Sequence, residues 1–167
     1  RLADLTREDP ANDLPRGGES AGRELLSRWL GNGARQYVDR ADDLPADATS
    51  HLSPYLHFGC LSANEVLARV DERKGLQEFA RQLCWRDFHH QVMAARPDIS
   101  YNDYRKRDRR WKSPRGRLDA WKEGRTGYPI VDAGMRQLAD QGFLPNRARL
   151  IVASFLTKDL HLDWRLG

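Results

Sequence analysis

The chain has 167 residues, with 28 Lys and Arg against 24 Asp and Glu and a formal charge of +4. That is length for one core, or for two small lobes sharing one, and only a mild push towards polyanionic partners. Mean hydropathy is -0.77 and no apolar run approaches a membrane span, which excludes a membrane partner from the expectations.

Cys60 and Cys84 lie far apart with no Cys/His ligand spacing. This argues against a metal site and against a disulfide scaffold, and it fits a reducing compartment. No basic-then-apolar leader opens the sequence, so the expected location is the cytoplasm.

Residues 1–18 (RLADLTREDPANDLPRGG) are polar and broken by Pro10, Pro15 and two glycines, as a linker would be. A helix is expected from Glu19 to Leu30, with Leu25, Leu26, Trp29 and Leu30 inward and Gly31 ending it. A short helix carrying Tyr37 follows, then a turn-rich connection over 41–61. In SANE, Ser62 can bond the amide of Glu65 while the Glu65 side chain reaches back. This capping box opens a helix that buries Val66, Leu67 and Val70 and stops near Gly75. The next helix holds RQLCWRDFHH, and a basic loop, YRKRDRRWKSPRGR, separates it from a short helix in LDAWKEG. Pro129 starts the following helix, which Gly142 closes; Pro145 starts the last, which runs past Phe155. Almost nothing alternates with period two, so the expected fold class is all-α.

In RQLCWRDFHH, at about 100° per residue, Glu78, Gln82, Trp85 and His89 share one stripe. Ala80, Leu83, Cys84 and Phe88 fall broadly on the opposite face. An indole among hydrogen-bonding groups suits a flat aromatic ligand such as a base. The alternative is a tryptophan packed under a neighbouring helix with its N–H satisfied.

Three further stretches bear on chemistry. In ATSHLSPYLHFG, Thr49, Ser50 and Ser53 place three hydroxyls beside successive backbone amides, as an anion-binding nest would, or as helix caps would. The loop from Tyr104 to Arg117 interleaves Lys and Arg with Tyr104 and Trp111, and either tracks a phosphate backbone or is a solvated basic loop. Asn146, Arg147 and Arg149 gather at the start of an apolar helix, where two arginines oppose the helix dipole. They fit a bound anion or structural ion pairs. Trp121 and Trp164 lie in helical segments, and core packing accounts for both.

Taken together, TSHLSPYLHFGCLS, RQLCWRDFHH, WKEGRTGYPIVDAGMRQL and LPNRARLIVASFLTKDLHLDW resemble the DNA photolyase/cryptochrome family. The resemblance runs from about Glu19 to the end, with several long motifs in the family's order. It is greatest to bacterial members that repair cyclobutane pyrimidine dimers.

The resemblance implies a helical FAD-binding domain, truncated at its C-terminal side. Residues 1–18 would be the linker from a missing N-terminal α/β antenna domain. Residues 19–167 would be part of the FAD-binding and DNA-lesion-binding domain. Expected cofactors are FAD here and an antenna chromophore, folate or deazaflavin, in the N-terminal domain only. The expected partner is double-stranded DNA containing pyrimidine dimers, met by a monomer in the bacterial cytoplasm.

By the same resemblance, Tyr37, Thr49, Ser50, His51, Leu52, Ser53, Arg86, Asn146 and Arg149 would serve the cofactor. Gln82, Trp85, Arg86, His89, Asn146 and Arg147 would line the lesion pocket. Trp164 and Trp111 match the middle and outer members of the family's tryptophan electron-transfer chain, whose inner member lies beyond Gly167. The implied activity is that of a carbon–carbon lyase: a lesion is flipped out of the duplex, light-excited reduced FAD gives it an electron, and the ring splits. The isolated chain is expected to bind FAD poorly and repair little.

Gln82 stands where dimer-specific members carry glutamate, and Leu150 where they carry methionine. Glutamine there is shared with cryptochromes and six-four photolyases. A cryptochrome-like blue-light photoreceptor flavoprotein and a six-four photoproduct photolyase are therefore the alternatives. A flavin-free helical DNA-binding module would leave the hydroxyl cluster and the tryptophans unexplained.

Overall fold

A computed structural model of the chain describes residues 13–70, 76–105 and 110–167. Among the described residues there are helices and turns and no strand, the all-α class expected. The chain divides into two compact units, Gly17–Arg109 and a second built from Arg110–Gly167 together with residues 13–16.

In the first unit α1 (Glu19–Arg28) turns Leu26 fully inward. Gly22 is buried, and a Cβ there would lie 2.9 Å from Tyr55 Cδ1, so glycine lets the ring approach. Gly31 does not end this segment as expected. A glycine stops a helix by taking a left-handed φ, and Gly31 is not among the glycines that do so. Instead Trp29–Gly33 form a π-turn, closed by the Ala34 N–H donating to the Trp29 carbonyl five residues back. A 3-10 turn, Ala34–Gln36, leads into α2 (Tyr37–Arg40). The widened turn keeps Trp29 and Tyr37 in one aromatic cluster, edge-to-face at 5.9 Å. Phe79 touches both, at 4.2 Å from Trp29 and 5.7 Å from Tyr37.

The 41–61 connection holds a helix the sequence reading missed, α3 (Ser53–His57), which buries Tyr55 and Leu56. Pro54 sits at its second position, where its fixed φ suits a first turn. α4 (Ala63–Ala68) opens with one half of the expected box: Ser62 Oγ accepts the Glu65 N–H at 2.9 Å, while the Glu65 side chain does not reach back. The Glu65 carboxylate accepts from Arg23 Nε at 2.9 Å, which ties α4 to α1. Val66 is fully buried, with Leu67 and Val70 against the same core. α4 ends at Ala68, short of the stop expected near Gly75, a position outside the described residues.

α5 (Leu76–Ala95) buries Leu76, Phe79 and Leu83. That stripe, at steps of three and four, continues to half-buried Arg86 and not to Phe88. The expectation of an inward face carrying Cys84 and Phe88 is therefore corrected: both are exposed. Leu26, Leu52, Val66 and Leu76 form the dry centre of the unit, each buried aliphatic side chain contributing about 1.5–3 kcal/mol.

In the second unit α6 (Arg117–Lys122) buries Trp121, whose indole N–H donates to the Val152 carbonyl at 3.0 Å. α7 (Pro129–Gln141) begins at Pro129, and Gly142 closes it at a φ of 62°, both as expected. Gly134 lets α8 (Asn146–Ser154) approach, since a Cβ would lie 3.0 Å from Val152 Cγ1. α8 follows Pro145 and passes into a second π-turn, Phe155–Asp159, where the Leu160 N–H donates to the Phe155 carbonyl. Val131, Met135, Val152, Leu156 and Leu162 make the core. From the segment expected to be a linker, the Asp13 N–H donates to the Asp140 carbonyl at 3.2 Å.

Candidate functional site

The hydroxyl-rich segment lies between α2 and α3. Its backbone takes left-handed φ at two non-glycine residues, Asp47 at 46° and His51 at 53°. His51 Nε2 donates to Asp47 Oδ1 at 2.7 Å. Leu52 is buried and sits at the α3 N-cap, so none of the three hydroxyls caps that helix. Ser50 Oγ accepts the Leu52 N–H at 3.4 Å, and Ser53 is exposed. Thr49 Oγ1 is buried without a hydrogen-bond partner.

A buried hydroxyl left unsatisfied costs about 1–3 kcal/mol, and an anionic oxygen arriving there would recover it. The segment therefore fits the phosphate of a cofactor. Tyr37 lies half-buried in the aromatic cluster. Burial, then the Asp42 carboxylate, pushes its phenol pKa up, which keeps the hydroxyl a proton donor.

On α5, Trp85 is 52% exposed. Its indole stacks on His89, with ring centres 5.9 Å apart and planes at 28°. Phe88 meets it edge-on at 5.6 Å and 87°. Gln82, one turn earlier, is exposed on the same stripe. Arg86 leans the other way: Nη2 donates to the Leu56 carbonyl at 3.4 Å and Nη1 pairs with Asp87 at 2.9 Å. Sequence reasoning missed Phe88 as the companion of Trp85. The available signal was its spacing of three residues, which brings two rings together on a helix.

In the second unit Asn146, Arg147 and Arg149 are exposed on the first turn of α8, with exposed Leu150 beside them. Trp111 and Trp164 are half-buried. Trp164 opens the 3-10 turn Trp164–Leu166, and the Arg165 guanidinium lies 4.9 Å above its ring. The Lys112 N–H, next to Trp111, donates to the His161 carbonyl at 2.8 Å. In the basic loop Arg105 is exposed, while Arg107 and Arg109 lie outside the described residues.

A helical domain thus carries a buried, unsatisfied hydroxyl in a left-handed turn and an exposed indole against two further rings. Residues 79–167 match the family model described as the FAD binding domain of DNA photolyase, and the chain belongs to that family. It is 53% identical to a deoxyribodipyrimidine photo-lyase of Streptomyces griseus, over 100% of this chain and 39% of that protein. Its fold superposes on a bacterial class III photolyase from Agrobacterium tumefaciens with a TM-score of 0.86 at 33% identity, covering 89% of this chain and 32% of the other. A cryptochrome from Synechocystis sp. PCC6803 gives 0.85 at 34% identity, covering 91% and 34%. The chain thus spans about two-fifths of the length of the curated relatives it matches, 39% and 37% for the first two. No helix among the described residues is long and apolar enough to cross a membrane.

Proposed function

We propose that the full-length protein repairs cyclobutane pyrimidine dimers in DNA with light, using FAD. The observation that carries this reading is the half-exposed Trp85 indole, stacked on His89 and standing off the core of α5. A flavoprotein signalling only through a partner protein has no need of such a platform.

A dimer has lost pairing quality, so extruding it from the duplex costs less than extruding a normal base. Trp85 then stacks on the extruded bases, and Gln82 offers an amide donor and acceptor to a pyrimidine edge. His89, Arg86, Asn146 and Arg147 complete the lesion set. Tyr37, Thr49, Ser50, His51, Leu52, Ser53, Arg86, Asn146 and Arg149 hold the cofactor, the hydroxyls turned to its phosphates. When bound and reduced, FAD supplies an electron to the lesion under light. Trp111 and Trp164 would relay electrons from an external reductant toward the FAD. No side chain acts as a nucleophile, and the protein's task is to bring donor and acceptor together and keep water out.

The reading extends to a monomer in the cytoplasm, where the unbridged Cys60 and Cys84 stay reduced. Sedimentation of the full-length protein checks the oligomeric state.

The deciding experiment gives the full-length, fully reduced protein DNA carrying defined dimers, in light and in dark. Loss of dimers in light alone is the expected result. Equal loss in the dark, or none in either, overturns the assignment. Reversal of six-four products in place of dimers would move it to that alternative.

A further inference from the structure

The turn from Asp47 to His51 has a left-handed residue at each end and a side-chain contact between them. Asp47 and His51 both occupy the left-handed region, which few non-glycine residues enter, aspartate and histidine more readily than most. The ring N–H of His51 closes the turn on the Asp47 carboxylate at 2.7 Å. Between them in sequence stands Thr49, whose hydroxyl is buried and unsatisfied. Left-handed conformations at non-glycine residues persist where the surroundings over-determine them, and they cluster where a ligand is clamped. Asp47 is the left-handed cap of the 3-10 turn Leu44–Ala46, its N–H donating to the Leu44 carbonyl at 3.2 Å; it is exposed, and His51 is half-exposed.

We propose that Asp47 is a positioning residue for the cofactor phosphates: by accepting the His51 Nε2–H it fixes the turn that presents Thr49 and Ser50. The proposal rests on the reading of residues 49–53 as the phosphate segment. Asp47 itself touches no cofactor. It acts before binding, by making the presenting turn the resting conformation, so that the ordering cost is not met when the ligand arrives.

The test follows FAD release from the full-length holoprotein by the recovery of free-flavin fluorescence. Asp47→Ala loses both the acceptor and the left-handed preference. His51→Asn keeps that preference and loses the reach to Asp47. Each should speed release about tenfold, the scale of one charge-assisted hydrogen bond. The double variant should be no faster than the faster single one, because both remove the same contact. Asp47→Asn, which keeps an acceptor oxygen and tolerates the left-handed region, should stay within about threefold of the parent. The unfolding midpoint of the apoprotein should not move, since the pair is outside the core. Amide exchange over 47–53 in the apoprotein should rise in Asp47→Ala, a readout independent of the cofactor.

Thr49→Val separates the two layers of the argument. If it speeds release while Asp47→Ala does not, Asp47 positions nothing. If Thr49→Val has no effect, the assignment of the phosphate segment itself fails. Additive effects of Asp47→Ala and His51→Asn would also overturn the proposal, because two independent contacts would then be at work.

Discussion

Thr126 donates twice to one oxygen of Asp132, through its hydroxyl at 2.6 Å and its backbone N–H at 2.7 Å, while the Gly127 N–H donates to the other at 2.9 Å. The carboxylate is the one buried charged group of the described core, and it ties the turn that precedes α7 to the helix. The Thr126 hydroxyl is the largest cause that holds its pKa below the ordinary carboxylate value, followed by the two backbone donors and Arg136. A carboxyl with a lowered folded pKa stabilises above its unfolded pKa, and that contribution is lost as pH falls through the folded value. Asp132→Asn and Thr126→Val should both lower the unfolding midpoint at neutral pH. The gap between parent and Asp132→Asn should shrink below about pH 4, near the unfolded carboxylate pKa. Thermal unfolding across pH 2–7 checks this, and a gap constant with pH would contradict it.

Trp121 joins α6 to α8 through its indole N–H on Val152. Trp121→Phe should cost about 1 kcal/mol, since it removes one hydrogen bond and keeps most of the ring. Trp121→Ala should cost about 3–5 kcal/mol through the cavity left behind. Denaturant unfolding of both variants gives the two numbers, and equal losses would mean that the hydrogen bond dominates.

Trp85→Ala should weaken binding to dimer-containing DNA by about 1–3 kcal/mol, the range for loss of a base–aromatic stack. Binding to undamaged DNA should change little. Titration of both DNAs under red light checks the difference. Equal weakening would place Trp85 in the scaffold. Phe88→Leu removes the edge contact to the indole and should give a smaller loss of the same selectivity.

Replacing Arg105, Arg107 and Arg109 by Gln should lower DNA affinity with and without a lesion. It should also flatten the salt dependence, by roughly one unit of slope for each phosphate contact removed. Binding at several salt concentrations decides it. An unchanged slope would mean that the loop faces away from DNA.

The helices were legible where local chemistry decides. Ser62 with Glu65, Pro129 and Gly142 each mark an end that the structure keeps. What local patterning missed was set by distant partners. Gly31 looks like a stop, yet the Trp29 ring against Phe79 carries the chain through a π-turn. The inward face of α5 was misjudged because Phe88 counts as apolar by type, while the stripe begun by Leu76, Phe79 and Leu83 passes to Arg86, anchored on the Leu56 carbonyl. The helix at Ser53–His57 was too short for periodicity to separate from a turn. For the candidate site, spacing put Gln82, Trp85 and His89 on one exposed stripe. The clasp from His51 to Asp47 was invisible, since it depends on two left-handed residues that no pattern of types signals.

The π-turn at Trp29–Gly33 is, in chain terms, one residue more than a regular helix would hold. Deleting Asn32 would remove that residue and let the stretch wind as regular α-helix, with the residues beyond keeping their place about the axis. Tyr37, edge-on to Trp29 and Phe79, would stay in register with both. A second deletion has no such slack to draw on: it would swing each later residue by about 100° and empty the aromatic corner.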